Sequence, residues 1–161
     1  MPPEALFDVS TVDCDRIVAD KEAIHKFNPQ RFEMDQLDAI VYLDRTQHLI
    51  VGYKDVRPDE FWVRGHMPGF PLMPGVMICE AAAQLTSYYW KSSGKIEGDF
   101  IAFGGMEEVR FRGPVHIGDR LILVGKSQKY HRRKVEMQSQ GYVGTTMVFQ
   151  GMMIGVPFYK P

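Results

Sequence analysis

Residues 65–91 read GHMPGFPLMPGVMICEAAAQLTSYYWK, and the contrast between the two halves of this stretch decides the fold. Gly65 to Gly75 packs three prolines and three glycines into eleven residues. That composition excludes a helix interior or a central strand, because proline lacks a backbone donor and glycine is conformationally costly to order. The side chains between them are apolar, where an ordinary surface loop would be polar, so the segment is expected to be a rigid, packed loop. Val76–Lys91 then runs without a Gly or Pro and is rich in Ala and other helix-compatible residues, which predicts a long helix. It is apolar almost all round, and such a helix belongs inside something.

What surrounds it is strand-like. Upstream, Leu37–Leu43 and Leu49–Val56 carry Ile, Val, Tyr and Leu on either side of the polar break Asp44-Arg45-Thr46-Gln47, a strand pair with its turn. Downstream, Phe100–Phe111, Arg120–Lys129, Lys134–Tyr142 and Thr145–Val156 are four further runs, separated by Gly113-Pro114, Gly118-Asp119, His131-Arg132-Arg133 and Gly144. One long helix held in a mainly antiparallel, curved sheet of about six strands is an α+β architecture. Before these, residues 1–12 are expected to form a loose lead-in after Pro2 and Pro3. A short helix over Asp13–Ala19 follows, then a second one capped by Asp20 and stopped by Pro29.

The chain has 161 residues and 45% apolar content, enough for one sizeable core and too little for two ordinary domains. We divide it into a lead-in over residues 1–27 and one domain over residues 28–161. A formal charge of −1, from 19 basic and 20 acidic side chains, argues against nucleic-acid or membrane-surface binding. Apolar runs are interrupted well before the roughly 20 residues that span a bilayer, which argues against membrane insertion. With two cysteines, Cys14 and Cys79, and no basic-then-apolar start, a cytoplasmic setting is expected. No metal-ligand spacing, phosphate-binding glycine loop or Gly-x-Ser-x-Gly nucleophile occurs in the sequence, so neither a metal nor a redox cofactor is expected.

Two residues of the opening stretch stand out chemically. Glu80, Gln84 and Ser87 fall on one helix face. Such a stripe often meets water, but this one is a single residue wide and flanked by Cys79 and Ala83. A carboxyl group there is suited to act as a proton donor. His66 lies between a glycine and the proline-rich loop, the rigid placement that a general base requires. Gly75 brings the unpaired N–H groups of the helix start close behind it, where negative charge is favoured. Cys79 reads as a small core residue. Met67, Met73 and Met77 cluster near the site and suit either the lining of an apolar tunnel or ordinary core.

Taken together, residues 65–84 resemble the signature of the beta-hydroxyacyl-acyl carrier protein dehydratases of the FabZ type. Val109-Arg110-Phe111-Arg112-Gly113-Pro114 through Gly118-Asp119-Arg120-Leu121 is similar to the same family's later strand-turn-strand. Weaker similarity covers Asn28 to about Asp44. The resemblance implies a hot-dog fold and elimination of water from a 3-hydroxyacyl thioester. It implies His66 and Glu80 as the acid–base pair, drawn from different subunits of a homodimer that assembles further, in some cases, into a hexamer as a trimer of dimers. The substrate would ride on the phosphopantetheine arm of an acyl carrier protein. With such a substrate, the N–H of Gly75 at the helix start would receive charge on the thioester oxygen, and Gln84 would either hold Glu80 or a water or serve a structural role.

The chain departs from the family pattern at Gln30-Arg31-Phe32-Glu33, where His-Arg-aromatic-Pro is usual. It departs again at Asp59 in Asp59-Glu60-Phe61-Trp62, and at Met67, where Phe commonly follows the histidine. Competing readings are a hot-dog thioesterase and a non-catalytic acyl-binding subunit. For carrier docking, the basic group Lys126, Lys129, Arg132, Arg133 and Lys134 competes with Arg110 and Arg112.

Overall fold

The computed structural model describes the backbone of residues 1–161 and every side chain except that of Lys129. Six strands form one antiparallel sheet: β1 (Ala39–Asp44), β2 (Leu49–Asp55), β3 (Phe100–Phe111), β4 (Arg120–His131), β5 (Lys134–Val143) and β6 (Thr146–Phe158). Their order across the sheet is β1-β2-β4-β5-β6-β3, so β1 and β3 are its edges. The helices are α1 (Lys21–His25) and α2 (Gly75–Ser92). All six expected strands and the long helix form, with ends that differ from the sequence reading by at most two residues.

The 18 residues of α2 span about 27 Å and lie against one face of the sheet. Ile78, Ala81, Ala82 and Leu85 meet Ile40, Ile50, Leu121, Leu123, Phe149 and Met153 in the main core. The helix comes close enough that a Cβ at Gly52 would stand 2.7 Å from the Ala39 carbonyl and 3.1 Å from Leu85 Cδ1, so only glycine fits there. Successive strand residues point to opposite faces, and the alternates Val41, Val51, Ile122 and Val124 form a second apolar cluster on the other face.

That outer cluster is covered by the start of the chain, which corrects the expectation of a loose lead-in. Leu6, Phe7, Val9 and Val12 pack on it, with the Phe7 ring 4.9 Å from that of Tyr42. The Gln140 side chain holds the segment by accepting from Leu6 N at 2.9 Å and donating to Glu4 O at 2.9 Å. The expected helix over Asp13–Ala19 does not form. Asp13 instead makes a tight local turn, accepting from Asp15 N through its side chain and from Arg16 N through its carbonyl. Ala19 is extended and bridges Ile40 beyond the β1 edge. Here pairing to an open sheet edge outweighs weak local helix preference. Asp20 caps α1 as expected, its side chain accepting from Ala23 N.

Candidate active site

The loop between β2 and α2 is pinned along its length. Trp62, 5% exposed, anchors it in the core. His66 N donates to Trp62 O at 2.8 Å, Leu72 N donates to His66 O at 2.8 Å, and Met73 N donates to Val115 O at 2.9 Å. Met67 and Phe70 exchange backbone hydrogen bonds around Gly69, whose φ of +79° suits glycine. Backbone hydrogen bonds and the buried Trp62 and Met73 thus hold a platform, but the loop is less packed than its composition predicts, with Met67 and Phe70 51% and 62% exposed at its tip.

On that platform His66 is half-buried, and its Nδ1 lies 2.8 Å from the Leu72 carbonyl oxygen. A carbonyl only accepts, so Nδ1 carries the proton, and in the neutral ring Nε2 holds the free lone pair. This is the tautomer of a general base.

Helix α2 begins at Gly75, directly after the loop. Pro74 O accepts from Met77 N at 2.9 Å and from Ile78 N at 3.2 Å. The Gly75 and Val76 N–H groups have no acceptor among the described residues. A Cβ at Gly75 would fall 2.7–2.9 Å from the Phe111 ring, so this position admits no side chain without displacing that ring.

Glu80, one turn in, is half-buried. Gln84 Nε2 donates to its Oε1 at 2.8 Å, and no hydrogen bond to Oε2 occurs among the described residues. Gln84 and Ser87 are 1% and 3% exposed, so the stripe faces the interior and not water. No hydrogen bond joins His66 to Glu80 of the same chain among the described residues. Of the three methionines, Met73 and Met77 are core residues and Met67 is 51% exposed. None borders the pocket beside Glu80, whose methionine is Met153. Cys79 is buried, and burial pushes its thiol up to about 11, so it stays protonated near neutrality.

Several participants escape a sequence reading. Gln30, Thr86, Ile101 and Phe103 line the pocket beside Glu80 and reach it only through tertiary packing. Lys54, 2% exposed, pairs with Glu60 at 2.7 Å under the start of the His66 loop. A lysine in an apolar strand is the one sequence hint of that pair. The two basic groups occupy different ends of α2. Arg110 and Arg112 adjoin Phe111, which contacts the helix start, and the turn after them holds the loop through Val115. The β4–β5 turn instead lies by the helix end, where Tyr130 stacks on Trp90 at 5.0 Å and Lys134 is paired with Glu136. The Lys129 side chain lies outside the described residues. Among those residues no group of three His, Cys, Asp or Glu could hold a metal ion, and no helix is long and apolar enough to cross a membrane.

Residues 28–152 match the FabA-like domain family. The chain is 33% identical to the 3-hydroxyacyl-[acyl-carrier-protein] dehydratase FabZ of Moorella thermoacetica over 135 residues, covering 84% of this chain and 94% of that one. It is 37% identical to the FabZ of Syntrophobacter fumaroxidans over 127 residues, covering 78% and 85%. Among solved structures, a chain of the dehydratase heterocomplex ApeI:P from Xenorhabdus doucetiae superposes with a TM-score of 0.69 at 14% identity, covering 83% of this chain and 90% of that one. The PaaI protein of E. coli superposes with a TM-score of 0.57 at 14% identity, covering 73% and 80%. These structural likenesses establish the hot-dog fold. With its motif, its helix-on-sheet architecture and relatives above 30% identity over most of their length, the chain belongs to the FabZ-type dehydratase family of FabA-like domains.

Proposed function

We propose that this protein is a 3-hydroxyacyl-[acyl-carrier-protein] dehydratase, a hydro-lyase that turns a 3-hydroxyacyl thioester into a trans-2-enoyl thioester and water. It would serve fatty-acid synthesis or a related lipid or polyketide pathway in the cytoplasm. The observation that carries the reading is the His66 tautomer: Nδ1 is committed to Leu72 O, which leaves Nε2 as a base on a rigid loop.

In this scheme Nε2 of His66 takes a proton from C2, and the C2–H electrons become the C2–C3 double bond as the C3–O bond breaks. Glu80 gives its proton to the departing hydroxyl, which leaves as water. The Gly75 N–H, free at the start of α2, receives charge that builds on the thioester oxygen. Gln84 fixes one oxygen of Glu80 and leaves the other for substrate. The two catalytic side chains of one site come from different subunits, so a homodimer is the smallest active unit, and a hexamer would be a trimer of such dimers. The elimination breaks the C2–H and C3–O bonds, forms the C2–C3 double bond and water, and involves no net oxidation or reduction. The acyl group arrives on the phosphopantetheine arm of an acyl carrier protein, for which Arg110 and Arg112, at the Gly75 end of α2, are the better placed basic pair.

The test is to incubate the protein with 3-hydroxyacyl-acyl carrier proteins of several chain lengths and to follow intact mass, beside His66→Ala and Glu80→Ala. Loss of water by the wild type, falling on the order of 10²–10⁴-fold in either variant, is expected. Release of free acid would instead make the protein a thioesterase, and binding without change would make it a non-catalytic acyl-binding subunit.

A further inference from the structure

Beside Glu80 lies a pocket of about 50 Å³ between α2, β3 and β6. Its walls are mostly apolar, among them Ala83, Ile101, Phe103 and Met153. Two residues of its lining carry buried polar atoms that lack a partner. Ser87 Oγ and Gln30 Oε1 are both buried and have no hydrogen-bond partner among the described residues, and both residues line this pocket.

Ser87 is unusual for its own helix. A buried helical hydroxyl ordinarily bonds back to the carbonyl four residues earlier, as the adjacent Thr86 does to Ala82 O at 2.9 Å. Ser87 is 3% exposed and makes no such bond. Gln30 comes from a different element, the segment before β1, at a position where the chain leaves the His-Arg-aromatic-Pro pattern. Two residues from separate parts of the chain, each with an unpaired buried atom, thus line one small pocket. Burying both without partners is costly, and a ligand group that pairs with both removes that cost.

The spacing says which part of a ligand this is. Ser87 is seven residues beyond Glu80, about 10 Å along the helix axis. If Glu80 marks C3 of the acyl group, Ser87 lies several bonds further along the chain. Gln30 Oε1 accepts, and a serine hydroxyl both donates and accepts. A hydroxyl group answers both at once, donating to Gln30 and accepting from Ser87. We infer that the acyl pocket takes a chain with a hydroxyl group several bonds beyond C3, held between Ser87 Oγ and Gln30 Oε1, in preference to a plain alkyl chain. The inference rests on the dehydratase reading for the placement of the thioester end.

The test uses 3-hydroxyacyl-pantetheine thioesters of one length, either plain or with a second hydroxyl moved one carbon at a time along the distal chain. At one position the hydroxyl is expected to raise kcat/KM about tenfold over the plain chain. The same ratio is expected in dissociation constants measured by calorimetry on the His66→Ala protein, which binds without turnover. Ser87→Ala and Gln30→Leu, each checked for native circular dichroism, are expected to bring the ratio close to one. If no position is preferred, or if the preference survives in both variants, the inference is overturned. Were the wild type to dehydrate no member of the series, the dehydratase reading would fall, and the binding ratio would still decide this inference by itself.

Discussion

Gln84 Nε2 donates to Glu80 Oε1 at 2.8 Å, and the same residue is held from three other directions. Nε2 also donates to Met34 O at 2.6 Å, Oε1 accepts from Gln36 N at 2.9 Å, and the backbone carbonyl accepts from Asn28 Nδ2 at 2.9 Å. One buried amide therefore joins the helix, the segment before β1 and the proposed acid. Replacing it by Gln84→Leu leaves the buried Gln36 N–H unpaired, at about 1–3 kcal/mol, and removes the amide that the carbonyl of the exposed Met34 accepts from. Thermal unfolding should fall by several degrees. Glu80, freed from its partner, should lose orientation, so kcat should drop more than KM rises. A Gln84→Leu enzyme with wild-type kcat would show that Gln84 is structural only.

Beneath the His66 loop, Lys54 and Glu60 form a buried ion pair at 2.7 Å, with side chains 2% and 8% exposed. Removing one partner leaves an uncompensated buried charge, which costs about 3–5 kcal/mol. Lys54→Met should be destabilised by that amount in urea denaturation, with a weakened hold on the loop that starts at Glu60. The double variant Lys54→Met/Glu60→Leu should recover most of the loss, since apolar side chains of similar size commonly replace buried pairs without penalty. A double variant as unstable as the single one would refute the pair's role as the source of the effect.

The strands and the long helix were legible because Gly, Pro and polar clusters separate them cleanly, and His66, Gly75, Glu80 and Gln84 share one contiguous motif. What escaped was the covering of the sheet. Leu121, Ile122, Leu123 and Val124 are all apolar, so no alternation marks an inner and an outer face. Both faces are in fact buried, one under α2 and one under Leu6, Phe7 and Val9. The misread helix over Asp13–Ala19 has the same root: its residues serve a sheet edge that local pattern cannot reveal. The pocket lined by Gln30, Ser87 and Met153 draws on segments far apart in sequence, and no periodicity announces it.

Asp38 gives an acid-sensitive fastening near β1. It bonds Lys21 at 3.0 Å and Arg57 at 2.9 Å through Oδ1, and Oδ2 accepts from Asp55 N at 2.7 Å. Burial works against its charged form, but the bonds from Lys21 and the Asp55 N–H outweigh burial and hold the carboxyl below its usual range. A depressed folded-state pKa contributes stability that is fully present above the unfolded value, about 4. That contribution is lost as pH falls through the folded value. Denaturation profiles should therefore decline below about pH 4, and the decline should be shallower in Asp38→Asn. Equal slopes in the two proteins would remove Asp38 as the cause.

Strand β3 pairs with β6 on one side only, and Phe103 and Met106 on it are 42% and 49% exposed. An apolar edge strand in this state invites a further strand, and a two-fold pairing of β3 with its own copy satisfies that edge in a closed dimer. The edge runs past the pocket at Glu80 through Ile101 and Phe103, so the same contact would bring each Glu80 toward the neighbouring subunit. Phe103→Asp with Met106→Asp should give monomers by light scattering, and those monomers should be inactive. His66→Ala and Glu80→Ala proteins, each inactive alone, should regain activity when unfolded and refolded together. In a mixed dimer one of the two sites holds an intact His66 and an intact Glu80. Random pairing makes half the dimers mixed, so recovery should approach about a quarter of wild type. Sites built within single chains would recover nothing, whatever the dimer geometry, because every chain in the mixture lacks one of the two groups.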